Sequence, residues 1–172
     1  MKHIKIDPIT RLEGHGKIDI FLNDDGEVSN TYFQIPELRG FEQFCVGRPV
    51  EEMPRITTRI CGVCPEAHHM ASAKACDAVF HVDPPPTAKK LRQLLYNVFY
   101  AGDHTLHFYA LGGPDFVVGP TAPAAERNIL GVVKKVGLEV GGKVIEMRKR
   151  TQEVLKALGG KQTHQVTSLP GG

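Results

Sequence analysis

The hydrophobic pattern of the chain changes its period near Pro36, and this change most limits the folds that are open to it. In residues 17–22, Ile18, Ile20 and Leu22 alternate with Lys17, Asp19 and Phe21, and a second extended run follows at 31–35. Between them lies the turn sequence Asn-Asp-Asp-Gly at 23–26, which is typical of a β-hairpin. From Glu37 onward apolar residues recur at helical spacings. The sequence therefore predicts an α+β fold, with an N-terminal β-hairpin or small sheet followed by a predominantly helical bundle.

Glycine and proline residues divide the helical region into segments. The predicted helices span 37–46, 51–58, 64–80, a stretch from after the prolines at 84–86 to residue 111, and 130–158. The last helix has a heptad pattern, which is typical of a buried bundle helix but also of a coiled-coil partner. Its four glycines indicate a neighbour that packs too closely for side chains. We interpret 1–36 as β-rich, 37–160 as helical and 161–172 as an extended tail of one unit.

Composition narrows the possible functions. The chain has 172 residues, of which 41% are apolar, and such a chain forms a core without disulfides or metals. No stretch approaches the roughly 18 consecutive apolar residues of a membrane span. The N-terminus lacks the pattern of a secretory signal, so we expect a cytoplasmic protein. The net charge of +2 argues against nucleic-acid binding that neutralises many phosphates.

Two of the four cysteines, Cys61 and Cys64, stand three residues apart. Without an export signal we expect thiols or metal ligands rather than disulfides. Cys64 precedes Pro65 at a predicted helix start, where free backbone N–H groups favour the thiolate. His68 lies one turn further along the same face, where an imidazole ligates a metal or hydrogen-bonds a cysteine sulfur. Gly62 permits the tight turn that two thiols on one ion require.

Three other interpretations of this cysteine pair stay open at this point. A redox dithiol of the thioredoxin type needs a preceding βαβ pattern, which the sequence lacks. A zinc site with four thiolates needs a second close pair, whereas Cys45 and Cys76 are far apart in the sequence. The third interpretation is a pair of buried core thiols, and we predict that Cys45 and Cys76 themselves belong to the core.

Two carboxylates and a histidine pair are further candidate functional residues, because of the residues that surround them in the sequence. Glu13 belongs to the stretch Thr-Arg-Leu-Glu-Gly-His at 10–15, which is either a solvated turn or a site that places a carboxylate for proton transfer. Glu42 lies in a largely apolar predicted helix, so it is either exposed or paired with a cation. For His104 and His107 we predict structural hydrogen bonding, because a metal site would need further ligands.

Together, three of these stretches resemble the large subunit of nickel–iron hydrogenases. They are Arg-Ile-Cys-Gly-Val-Cys-x-x-x-His at 59–68, Thr-Arg-Leu-Glu-Gly-His at 10–15 and Arg-Gly-Phe-Glu at 39–42. The resemblance runs along nearly the whole chain, from Ile6 to Thr-Ser-Leu-Pro-Gly-Gly at 167–172. In detail the chain looks most like the cytoplasmic branches, whose enzymes feed electrons to flavoprotein, heterodisulfide reductase or pyridine-nucleotide partners.

The resemblance implies a role for each matching residue. Cys61 would be a terminal thiolate on nickel, and Cys64 would bridge nickel to an iron that carries cyanide and carbon monoxide. Glu42 would bind Mg²⁺, Glu13 would take a proton from a nickel thiolate, and His68 would hydrogen-bond the bridging cysteine. The implied reaction is reversible heterolytic cleavage of H2, with electrons leaving through an iron–sulfur small subunit to further electron-transfer subunits.

The chain departs from the family pattern in one large respect. Family members carry a second cysteine pair near their C-terminus, and no such pair is present here. The chain therefore looks like the N-terminal part of such a subunit, from a truncation or a split, and we expect it to be inactive without the C-terminal remainder. We also expect an exposed apolar seam between Leu130 and Leu158, and hence self-association. Two alternatives are a relative of the quinone-site subunit of complex I, which lacks the metal cysteines, and a non-catalytic scaffold that keeps the fold.

Overall fold

The structure, a computed structural model, describes residues 2–172 and consists of a small sheet followed by helices. The α+β prediction is confirmed. The strands are β1 (Lys2–Ile6), β2 (Lys17–Leu22) and β3 (Val28–Gln34), and the α-helices are α1 (Phe41–Cys45), α2 (Met53–Ile56), α3 (Pro65–Val79), α4 (Pro86–His107), α5 (Ile129–Val136) and α6 (Leu138–Gly159). Among residues 2–172, no helix is both long and apolar enough to cross a membrane.

The sheet is antiparallel in the order β1-β2-β3. The predicted hairpin forms β2 and β3, and Gly26 in its turn has a φ of +85°, a value that glycine adopts without strain. The first strand was not predicted. It pairs with β2 in a regular register that places His3 opposite Phe21, where their rings stack with centroids 4.5 Å apart.

The helices before the cysteine pair are shorter than predicted. Instead of a helix over 37–46, only Phe41–Cys45 is helical, because Gly40 has a φ of +96° that no right-handed helix contains. The predicted helix at 51–58 is a 3₁₀ turn at Val50–Glu52, then α2, then a second 3₁₀ turn at Thr57–Ile60.

The predicted stop at Gly112-Gly113-Pro114 is wrong. Beyond α4 the backbone continues in π-helical turns at Phe108–Gly112 and Pro114–Val118. A Cβ on Gly113 would collide with the Phe108 carbonyl oxygen, so the absence of a side chain allows the backbone to close up there. Pro114 lacks the N–H that an α-helical ladder would use, and helices accommodate such a defect with a local π turn.

The long heptad helix is in fact two helices. Gly137, with φ +86° and ψ 160°, separates α5 from α6, because that conformation interrupts the hydrogen-bond ladder. The glycines of this region were also predicted to face a closely packed neighbour. For Gly137 and Gly142 this prediction is wrong, because an added Cβ would meet nothing within 4 Å. Among the four, Gly131 alone is crowded, by the carbonyl oxygen of Glu126 in the preceding turn and by the side chain of Val118.

The core lies between α3, α4 and α6. Met70, Leu95, Phe99 and Leu155 form one buried cluster, and Gly102 of α4 lies directly against the side chain of Thr151 of α6. The apolar seam of the last two helices is partly exposed, as predicted, since Leu130, Met147 and Val154 are exposed. The expected self-association stays a prediction.

The chain divides into two compact units, Met1–Gly40 and Phe41–Gly172. The first contains the sheet and the second all of the helices. The boundary falls four residues after the predicted end of the β-rich region at 36. The assignment of the whole chain to one unit stays a prediction.

Candidate metal centre

The two cysteines of the 59–68 stretch bring their sulfur atoms together. Cys61 follows the 3₁₀ turn Thr57–Ile60, and Cys64 is the residue before the first turn of α3. The Cys64 N–H donates to the Cys61 sulfur over 3.0 Å, and the two Sγ atoms lie 2.7 Å apart. Neither cysteine forms a disulfide, and both are half-buried. Cys64 thus stands at a helix start, and the Cys61 sulfur accepts a backbone hydrogen bond.

His68 completes a group of three candidate ligands. It lies one turn beyond Cys64 on α3, and its ring nitrogen and the two sulfurs all fall within 4.8 Å of one another. Thr57 donates a 3.5 Å hydrogen bond from Oγ1 to the His68 carbonyl, which joins the second 3₁₀ turn to α3. The predicted placement of His68 on the face of Cys64 is therefore confirmed.

The role assigned to Gly62 is wrong. Its φ lies outside the positive region where glycine is favoured, and an added Cβ would meet nothing within 4 Å. The turn between the cysteines is instead closed by the Cys64 N–H bond to the Cys61 sulfur. A small side chain at 62 is compatible with this backbone.

Behind the cysteine pair lies a buried polar layer that sequence reasoning missed. Glu66 is 2% exposed and Gln165 is fully buried; the Gln165 Nε2 donates to the Glu66 carboxylate over 2.7 Å. Burial raises the pKa of Glu66 above its ordinary value. His69 is fully buried as well; its Nδ1 donates to the Pro54 carbonyl and its Nε2 accepts from the Ser168 N–H. The only signal in the sequence was Glu66, an acidic residue two positions after Cys64, and nothing there pointed to Gln165 as its partner.

The tail after α6 lies along α3 and is not simply extended chain. Arg92 of α4 pairs with Asp77 of α3 and donates to the Leu169 carbonyl. The Gly171 N–H donates to the same Asp77 carboxylate over 2.8 Å. The Arg92 guanidinium lowers the pKa of Asp77 below its ordinary value. Polar contacts to α3 and α4 therefore hold the tail.

The remaining predicted site residues belong to other elements of the chain. Glu13 belongs to the loop between β1 and β2 in the first unit and is exposed, and Glu42 is exposed in the first turn of α1. Cys76 is buried, as predicted, and its thiol donates to the Val50 carbonyl. Cys45 is only half-buried, so its assignment to the core is wrong. The hydrogen bonding predicted for His104 is confirmed, since its Nδ1 donates to the Tyr100 carbonyl.

The chemistry of this donor set fits a soft or borderline metal. Thiolates select such metals, and imidazole suits nickel and iron among others. Two thiolates and one imidazole occupy at most three positions of a coordination sphere. An apolar groove of about 370 Å³, lined by Val50, Met53, Ile60 and His68 among others, reaches the histidine. The arrangement is thus a partial metal site next to an apolar surface.

Comparison with known proteins agrees with this chemistry. The family model for nickel-dependent hydrogenases matches residues 39–137, and a HoxL-like model matches residues 3–38. The chain is 55% identical over 172 residues to an iron-sulfur subunit of the F420-non-reducing hydrogenase of Archaeoglobus profundus, covering 100% of this chain and 35% of the relative. It is 39% identical over 177 residues to the HoxS subunit beta of the NAD-reducing hydrogenase of Cupriavidus necator. This match covers 99% of this chain and 36% of the relative.

Solved structures of hydrogenases are also similar to this chain. An NAD+-reducing [NiFe]-hydrogenase in the H2-reduced state superposes with a TM-score of 0.86 at 42% identity, covering 100% of this chain and 38% of that one. This chain therefore spans less than half the length of the proteins it matches.

Proposed function

The chain belongs to the nickel-dependent hydrogenase family, and on that premise we propose that it is the N-terminal part of a hydrogenase large subunit. In this role it supplies half of the thiolates of a nickel–iron centre. The centre, once bound, supplies the heterolytic cleavage of H2 into protons and electrons. One observation carries the proposal: the Cys61 and Cys64 sulfurs and a ring nitrogen of His68 all lie within 4.8 Å of one another.

Within this proposal the residues of the 59–68 stretch have separate roles. Cys61 would hold the nickel, and Cys64 would hold the nickel and also an iron, which by the family resemblance would carry cyanide and carbon monoxide. His68 donates a hydrogen bond to the bridging sulfur, which fixes the direction of its lone pairs. The helix start at Cys64 supports the thiolate form that ligation requires.

Two carboxylates complete the proposed machinery. Glu13 receives the proton from a cysteine sulfur and passes it toward solvent, which its exposed position in the 7–16 loop supports. Glu42 binds Mg²⁺, an ion that prefers oxygen ligands. Both assignments rest on the resemblance of the 10–15 and 39–42 stretches to the family.

The partial donor set implies partners. We propose that the remaining thiolates come from the part of the large subunit that this chain does not contain, and that electrons leave through an iron–sulfur small subunit to further electron-transfer subunits in the cytoplasm. The similar relatives include F420-non-reducing hydrogenase subunits and a NAD-reducing one. Without these partners we expect the chain to be inactive and to hold no stable nickel–iron centre.

Metal analysis of the assembled enzyme tests the proposal. The chain is produced anaerobically with and without the segment that bears the second cysteine pair and with the small subunit. We expect nickel, iron and H2-dependent dye reduction only in the complete assembly. Dye reduction by the chain alone would contradict the expected inactivity. A complete assembly free of nickel would support a scaffold instead.

Glu13→Gln tests the proton route. The substitution keeps the shape of the side chain and removes its basicity, so we expect H2-dependent dye reduction to fall about 10²- to 10⁴-fold, the usual contribution of a general base. Nickel and iron contents should not change. Glu37→Gln, at an exposed acid of the same unit, is the control. Turnover of Glu13→Gln equal to that of the control would remove Glu13 from the mechanism.

A further inference from the structure

We propose that His164 and Gln165 are positioning residues that set the spacing of the two cysteine sulfurs. We call this pair of adjacent residues the 164–165 clamp. One residue of the clamp holds the segment before Cys61, and the other holds the segment after Cys64. The metal-ligating role of the cysteines comes from the proposed function, whereas the mechanical role of the clamp is independent of it.

His164 holds the segment that leads into Cys61. Its Nδ1 lies 2.8 Å from the carbonyl oxygen of Thr58, and a carbonyl only accepts, so Nδ1 carries the proton. Thr58 is 1% exposed and lies within the 3₁₀ turn Thr57–Ile60, which ends one residue before Cys61. The imidazole thus fixes that turn three residues ahead of the first sulfur.

Gln165 holds the segment that follows Cys64. Its Nε2 donates to the carboxylate of Glu66, in the first turn of α3, and lies 3.2 Å and 3.1 Å from the carbonyl oxygens of Lys161 and Gln162. The Lys161 and Gln162 carbonyls only accept, so the amide nitrogen faces them, and this orientation leaves the Gln165 Oε1 buried without a hydrogen-bond partner. The contact is fully buried, where hydrogen bonds to a carboxylate are strong and costly to lose.

Packing and backbone conformation keep the clamp from moving. A Cβ on Gly159, at the end of α6, would collide with the Gln165 Cγ, so the helix end presses directly on this side chain. His164 has a φ of +59°, an uncommon value for a residue with a Cβ, and such conformations persist only where the surroundings determine them. Because the two clamp residues are adjacent, the Thr58 and Glu66 contacts cannot shift independently.

The clamp determines the distance and the orientation between the two sulfurs. Two exposed residues connect Cys61 to Cys64, and the Cys64 N–H bond to the Cys61 sulfur closes the turn between them, so the positions of the segments on either side decide how this turn is oriented. Outer partners of metal ligands orient them, and their loss typically weakens metal affinity by about 10- to 100-fold. The clamp supplies this orientation through the backbone on both sides of the pair.

Two variants and one control of the 172-residue chain test the clamp. His164→Gly removes the imidazole and tolerates the positive φ. Gln165→Met removes the donor and keeps the length of the side chain. Thr167→Val is the control, because Thr167 anchors the same tail to the Leu158 carbonyl and touches neither cysteine segment. If Gln165→Met does not fold, as circular dichroism would show, His164→Gly decides alone.

Two measurements are made on each variant under anaerobic conditions. The first is amide hydrogen exchange of the metal-free chain, in which we expect faster exchange at residues 57–66 in both clamp variants and no change there in the control. The second is titration with Co²⁺, followed by thiolate-to-cobalt absorption, in which we expect about 10- to 100-fold weaker binding in the clamp variants alone.

The outcomes separate this inference from the proposed function. Unchanged exchange at 57–66 in the clamp variants, or Co²⁺ binding equal to that of the control, would overturn the clamp as a positioning device. Nickel retained by the complete assembly when Cys61 and Cys64 are both replaced by serine would count against metal ligation by these two cysteines. In that case the exchange data still decide whether the clamp fixes the two segments.

Discussion

Cys64→Ser in the assembled enzyme should remove nickel and iron together and abolish H2-dependent dye reduction. Serine keeps the size of the side chain, but its hydroxyl stays protonated at neutral pH and offers no soft thiolate. Removing a residue that only supports a metal ligand typically costs about 10- to 100-fold in metal affinity or activity. The loss in Cys64→Ser should be larger, because Cys64 is proposed to bridge both metals. Metal analysis and dye reduction on the same preparation measure it.

Cys45→Ser is the matched control for this variant. Cys45 is a free, half-buried thiol of the same unit outside the three-ligand group. We expect this variant to retain both metals and full turnover. A Cys64→Ser enzyme that keeps its metals, or a Cys45→Ser enzyme that loses them, would mean that the metal centre lies elsewhere.

Arg92→Met should lower the free energy of unfolding of the chain by about 3–5 kcal/mol, the usual cost of breaking a buried ion pair from one side. Arg92 is 9% exposed, and its guanidinium joins Asp77 of α3 to the Leu169 carbonyl of the tail. Methionine fills much of the space but leaves the Asp77 carboxylate buried without its cation. Urea unfolding followed by circular dichroism measures the change.

Arg150→Met provides the comparison for an exposed arginine. Arg150 pairs with Glu146 on the surface of α6, and such pairs contribute about 0–1 kcal/mol. We therefore expect nearly wild-type unfolding for this variant. Equal losses from Arg92→Met and Arg150→Met would contradict the structural importance assigned to the buried pair.

The Arg92–Asp77 pair also has a definite pH dependence. Because the folded pKa of Asp77 lies below its ordinary value of 3.8, the unfolded chain binds the proton more readily. The stability that the pair contributes is present above about pH 4 and is lost as the pH falls through the folded pKa. In Arg92→Met the main cause of the lowered pKa is gone, so this part of the acid sensitivity should disappear.

Local sequence rules predicted the parts of the fold that depend on near neighbours. The turn at 23–26 placed the hairpin, and Pro65 placed the start of α3 next to Cys64, which was confirmed. The position of His68 beside the cysteines follows from one helical turn. Each of these features is decided within a few residues, where propensity and spacing are informative.

Features that depend on distant partners were missed or misplaced. β1 is a five-residue strand of exposed residues, and it exists because β2 offers an edge to pair with. The π turns after α4 depend on a close backbone approach at Gly113. The break at Gly137 depends on a positive φ that the heptad pattern conceals.

The sequence alone determined the chemistry at this site: two thiols and an imidazole at spacings that one turn and one helix bring together. Only the tertiary structure decided what holds them, because the supporting hydrogen bonds join residues 99 and 106 positions apart, Glu66 to Gln165 and Thr58 to His164. Local pattern carries no information about such pairs, since their partners meet only when α6 packs against α4 and the tail after it reaches α3.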